Sequence, residues 1–322
     1  MLRMLAAAVL AATVATVTPG AATAQAAFPS KEVRFICGFP AGSGADIIVR
    51  FFADKIAKKT GHTFIVENRP GAGGMLALTH TARAQPDGHT ILLAGGNAVA
   101  INANLLKNPP IDAAKDIKVA ATINKMPFLL VVDGKSSYKS LGDLTEAMRI
   151  KGRKASYAYS SPFSKVIAES YKTVGKLDAV EVAYKSATDS LNDLSSGAVD
   201  FAILDPVMGL SLHKEGKVRA LAISTADRTN ATGALPTFTE QGVKLDLPGW
   251  WAALVPAGTP AAVVETINGW FADALKEPDT RDFLAKGGAD PLTLSAADAN
   301  KYFLEEISNW DRLIKMARIE KQ

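Results

Sequence analysis

The sequence predicts an α/β protein built as two lobes with parallel-rich sheets and a hinge. Strand-length apolar runs alternate with helical periodicity along most of the chain. Two further apolar segments read as crossings between lobes. Composition agrees: 322 residues, 48% hydrophobic and 21% charged, with a single cysteine, suffice for two cores and exclude disorder and a disulfide scaffold. Thirty-six Lys+Arg against 32 Asp+Glu leave a net charge of +4. The charges are interspersed, so no nucleic-acid partner is expected.

The first residues stand apart from this pattern. One positive charge lies in Met1 to Arg3, Leu5 to Val17 is uncharged and apolar, and Ala22-Thr23-Ala24 and Ala24-Gln25-Ala26 fit a small-x-small cleavage site. The run is shorter than the roughly 20 residues that span a bilayer, and Pro19-Gly20 breaks it. Residues 1–26 therefore read as a secretory signal peptide, and the mature chain is expected to be exported and soluble. Cys37 lies in a strand-like run and reads as a core residue.

Val33 to Phe39 is the first strand, and Ile47, Ile48, Phe51, Phe52 and Ile56 mark a helix that Thr60-Gly61 stops. Further pairs follow: strand 64–67 with helix 73–84, strand 90–94, strand 155–160 with helix 163–173, strand 180–184 with helix 188–196, and strand 200–205. Pro127 to Val132 and Gly249 to Val255 read as the crossings. The first lobe is thus expected at 27–126 plus 256–322 and the second at 127–255. Helices 261–276 and 296–316 are expected to pack back on the first lobe.

Open parallel sheets bind ligands at their carboxyl edge. The first strand runs into Phe39-Pro40-Ala41-Gly42-Ser43-Gly44-Ala45-Asp46, a glycine-bearing turn at a helix start, where main-chain N–H groups, that of Ser43 among them, suit a carboxylate. Asp46 reads first as a helix cap. Gly71, Gly73 and Gly74 form a second such start, and Gly95-Gly96-Asn97 ends the third strand. In the second lobe, Ser160, Ser161 and Ser164 sit at a strand end, as do Tyr184, Lys185 and Ser186. Capping explains the serines at least as well as ligand contact, and Ser186 with Asp189 has capping-box spacing.

Nucleotide fingerprints are incomplete, and the four histidines form no metal-ligand set and read as surface residues. No cofactor or metal is expected. A secreted serine hydrolase using Ser161 or Ser164 with Lys165 is the alternative, and it needs a base within hydrogen-bond reach.

As a set, Phe39 to Asp46, Asn68 to Gly74, Pro86 to Thr90, Ala183-Tyr184-Lys185, Ser196 to Asp200, Arg219 to Ala222, Leu235 to Gly242 and Trp251 to Pro260 resemble the Bug family, the TctC-like extracytoplasmic receptors of tripartite tricarboxylate transporters. The resemblance spans nearly the whole mature chain. It implies a type II periplasmic binding protein that closes on a small organic acid, docks on membrane transporter subunits or acts as a ligand sensor, works as a monomer and is not an enzyme. By position it implicates Phe39, Ala41, Gly42, Ser43, Gly44, Asp46, Gly96 and Asn97, and across the cleft Ser160, Ser161, Ser164, Tyr184, Lys185, Ser186 and Asp205. The usual Pro-Gly-Gly is Ala41-Gly42-Ser43 here, the usual Tyr-Lys-Gly ends in Ser186, and Phe163 and Lys165 stand in a loop that is commonly Gly-x-Gly-Ser.

Overall fold

A computed structural model describes residues 28–321; the expected signal peptide lies outside the described residues. β1 (Val33–Cys37) leads into α1 (Gly44–Thr60), which Gly61 ends in the left-handed region at φ 72°. β2 (Phe64–Asn68) passes through a short 3-10 turn to α2 (Met75–Ala82), and β3 (Thr90–Gly95) runs straight into α3 (Gly96–Leu105). After α4 (Ala113–Asp116), β4 (Ile117–Met126) carries the chain out of the first sheet.

The second sheet opens with β5 (Leu129–Asp133) and α5 (Leu141–Lys151). Three βα units follow: β6 (Ser156–Tyr159) with α6 (Pro162–Gly175), β7 (Val180–Ala183) with α7 (Ala187–Ser196), and β8 (Phe201–Leu204) with α8 (Pro206–Lys214). β9 (Val218–Ile223) completes it. The chain returns through β10 (Gly249–Pro256), α9 (Ala261–Ala274), α10 (Pro278–Lys286), β11 (Asp290–Pro291) and α11 (Ala296–Met316).

The sheet orders are β11-β4-β10-β3-β1-β2 and β7-β6-β8-β5-β9. Each holds a parallel trio, β3-β1-β2 and β7-β6-β8, and in each the strand that brings the chain in, β10 or β5, runs antiparallel to its neighbours. The direction follows from connectivity. β4 and β9 end at the junction between the sheets, so the strands that continue from them begin there and run the other way. The carboxyl edges of the parallel strands in both sheets therefore face that junction.

Both expected crossings differ from what is found. Within 127–132, Leu129 to Val132 lie in β5 between β8 and β9, so the chain crosses at Pro127-Phe128. The second case is the run Gly249 to Val255. Those residues form β10, hydrogen-bonded between β4 and β3, with Gly249 opposite Met126. The chain changes sheets earlier, between Ile223 and Gly249. An apolar run in this fold marks a buried central strand as readily as a crossing. Ser224 laces the two connections together. Its backbone N–H donates to Phe128 O (2.9 Å), its hydroxyl accepts from Phe128 N–H (2.9 Å) and donates to Leu247 O (2.7 Å), and its carbonyl accepts from Leu247 N–H (2.7 Å).

Both faces of the first sheet are covered, as period-2 alternation shows: Val33, Phe35 and Cys37 join one core and Ile36 the other. Cys37 is buried, and desolvation raises its thiol pKa. His89, expected at the surface, is buried: its Nε2 accepts from Ser30 N–H (3.1 Å) and its ring meets Phe28 edge-on. α11 does more than return to the first sheet, because Trp310 also packs against Phe163 of α6.

Candidate ligand cleft

The junction holds two neighbouring chambers whose walls share Met126 and Trp251. The smaller, about 210 Å³, lies at the ends of β1, β3 and β4 and the starts of α2 and α3. Its walls include Phe39, Met75, Leu78, Phe128, Trp250 and Trp251, with Asn97 and Asn102 as the polar side chains. The larger, about 420 Å³, lies between the α1 start (Gly44, Ile47, Ile48) and the α8 start (Asp205, Pro206, Val207), with α10 as its floor.

The turn after β1 is held from inside. Asp46 is buried, and its carboxylate accepts from Gly42 N–H (2.8 Å), Arg50 Nε (2.8 Å) and Asn68 Nδ2 (2.8 Å). The Arg50 hydrogen bond, chiefly, lowers its pKa to about 2 against the opposing effect of burial. Ser43 N–H donates to Pro40 O (3.2 Å), and Ser43 Oγ caps α1 by accepting from Asp46 N–H (3.2 Å). The amides of Gly42 and Ser43, expected to meet a carboxylate, are therefore occupied. Among the described residues no side chain or turn carbonyl accepts from Gly44 or Ala45, the first donors of α1.

α2 and α3 start without a side-chain cap, at Gly74 and Gly95. Gly96, the first residue of α3, is required for packing: a Cβ there would lie 2.2 Å from the Trp250 ring. Trp250 is in turn fixed by Glu306, whose carboxylate accepts from Trp250 Nε1 (3.4 Å) and Trp310 Nε1 (3.1 Å) while burial raises its pKa.

The expected residues of the second lobe mostly serve its helix starts. Ser161 Oγ accepts from Ser164 N–H (3.1 Å), and Ser164 Oγ accepts from Ser160 and Ser161 N–H (3.2 and 3.0 Å), closing a capping box with Ser164 only 1% exposed. Ser186 and Asp189 close another on α7. Tyr184 donates to Asp193 (2.6 Å), and desolvation followed by that carboxylate pushes its pKa up to about 12. Lys185 is exposed. Lys165, the base required by a hydrolase, is ion-paired to Glu181 (2.6 Å).

Of the residues expected from sequence, the smaller chamber gathers Phe39 and Asn97 and the larger gathers Gly44 and Asp205; Ala41 stands exposed beside them. The structure adds Asn102, Met126, Phe128, Trp251 and Asn124. The apolar segments at 127–132 and 249–255 signal two of these, Phe128 and Trp251. Asn124 had no signal, since Lys118, Asn124 and Lys125 interrupt the apolar pattern of β4. It is 1% exposed and lines the larger chamber, yet its Oδ1 has no partner among the described residues.

Residues 48–319 match the sequence profile of the tripartite tricarboxylate transporter family receptor, TctC. A UPF0065 protein of Bordetella bronchiseptica is 29% identical over 301 residues, 93% of this chain and 89% of the relative. The solved structure of Rhodopseudomonas palustris Rpa4515 with adipate is 28% identical, with a TM-score of 0.77 over 91% of this chain and 99% of that one. MatC from the same organism, with bound malate, is 26% identical, with a TM-score of 0.71 over 89% and 100%.

Proposed function

We propose, from the premise that this chain belongs to the tripartite tricarboxylate transporter receptor (TctC) family, that it captures a small organic carboxylate in the cleft between its sheets and delivers it to membrane transporter subunits. The observation that carries this reading is the meeting of the carboxyl edges of both sheets at a chamber where two helices start on uncapped glycines. Such starts present main-chain donors and partial positive charge to an anion. The relatives solved with adipate and malate hold acids. They support the same ligand chemistry here.

Affinity arithmetic favours capture from two sides. Micromolar binding requires about −8 kcal/mol, and a hydrogen bond to a charged group contributes about 1.5–3 kcal/mol. One turn is insufficient. Several donors of the first lobe, with Phe128 and the α8 start closing over them, suffice once water is excluded. The connections laced by Ser224 are the hinge in this reading, and the lobes are 28–126 plus 249–321 and 127–248. Export to the periplasm through residues 1–26 and action as a monomeric receptor rather than an enzyme complete the proposal. No helix among the described residues is long and apolar enough to cross a membrane.

A thermal-shift screen over small organic acids tests the function. A binder at a hundred times its Kd is expected to stabilise the fold by about 2.7 kcal/mol. The absence of a shift with every carboxylate, alongside a shift with a neutral solute, overturns the reading.

A further inference from the structure

The smaller chamber carries a statement about which acids this cleft accepts. Among the described residues, no ionisable side chain lines it; its polar side chains are Asn97 and Asn102, and the remaining walls are mostly apolar or aromatic. The charged groups around it are committed. Arg50 at the adjoining turn is bound to Asp46 and Asn68, and the acid behind Trp250, Glu306, is bound to the two indoles. Asn102 Nδ2 also donates to Gly73 O (3.2 Å), which holds the α2 start against α3.

One carboxylate is compatible with this chamber, because the uncapped start of α3 supplies neutral donors and partial positive charge at one end, and the α2 start adds partial positive charge although Ala72 O takes its first N–H, that of Met75. A second carboxylate would lie against Phe39, Met126, Phe128 or Trp251 with no cation to offset its desolvation. An apolar or aromatic body gains from the same walls. The only cation at either chamber is Lys286 among the described residues, exposed at the larger one and sharing it with Asp205.

We infer that the preferred ligand is a monocarboxylate with a compact apolar body, in preference to a di- or tricarboxylate. This rests on the carboxylate reading above and narrows it. The test is calorimetric titration of the purified protein with benzoate, cyclohexanecarboxylate, adipate, malate, citrate and the neutral benzamide. Benzoate or cyclohexanecarboxylate is expected to bind at least tenfold more tightly than any of the three polyacids, about 1.4 kcal/mol. A polyacid binding most tightly overturns the inference and leaves the carboxylate reading standing. Benzamide binding as well as benzoate, or binding by none of the acids, overturns both. A second arm places a cation in the wall at a half-exposed position: Phe39→Lys is expected to improve malate binding at least threefold while weakening benzoate. Unchanged selectivity in a folded Phe39→Lys protein also counts against the inference.

Discussion

The helix starts at the junction are built differently in the two lobes. In the second lobe all three are capped by side chains: Ser161 on α6, Ser186 on α7 and Asp205 on α8, the first two in full capping boxes. Of the first-lobe helices that start at the junction, α1 has such a cap, while α2 and α3 begin on glycines that offer none. A capping side chain satisfies the donors that an anion would otherwise use. In the proposed reading the first lobe would thus hold the charge, and the second would cover it with Phe128 and the α8 start.

The most disruptive test of this difference is Gly96→Val. The new side chain collides with Trp250, and overpacking of this kind costs about 1–3 kcal/mol or more. Chemical denaturation should show that loss together with loss of acid binding; an unchanged midpoint would mean that the α3 start yields easily.

Asp46→Asn comes next. A carboxylate lowered from 3.8 to about 2 contributes about 2 kcal/mol. Because the folded pKa is depressed, that stability is present above the unfolded value and is lost as pH falls from about 4 toward 2. The variant should be less stable at pH 7 and lack this step in its stability profile. A retained step would assign the acid sensitivity to other carboxylates.

Ser161→Ala removes a cap worth about 1 kcal/mol. Affinity for the acid that binds most tightly should change less than twofold in calorimetry. A tenfold loss would place Ser161 on the ligand and erase the contrast between the lobes. The smallest stability effect, a few tenths of a kcal/mol, is expected for Gly95→Ser, which offers α3 the cap it lacks at a backbone φ of −64° that any residue adopts. Here affinity is the sensitive readout. It should fall severalfold if the open donors of α3 bind the ligand, and unchanged affinity would remove α3 from the site.

The βα alternation was legible because strand runs such as Val33–Cys37 and amphipathic helices such as α1 carry distinct periods, and Gly61 punctuates where expected. β4 escaped because Lys and Asn interrupt it, and α3 because it follows β3 without an intervening loop. At the site, a glycine or serine after a strand signals a helix start but not who uses its donors. Gly42, Ser43 and Gly74 read alike as open donors until Asp46, Pro40 and Gly71 are seen to take their N–H groups. Family resemblance carries the same ambiguity, since it marks Gly96 by position while Trp250, far away in sequence, explains the glycine.

Ser224 ties the outgoing and returning connectors into one ribbon. Two independent straps would let the halves shear and twist past each other; if these connections are the hinge proposed above, a single ribbon would favour one bending coordinate. Under the proposed function, a membrane partner would then need to measure only the gap between two rims to tell a loaded molecule from an empty one.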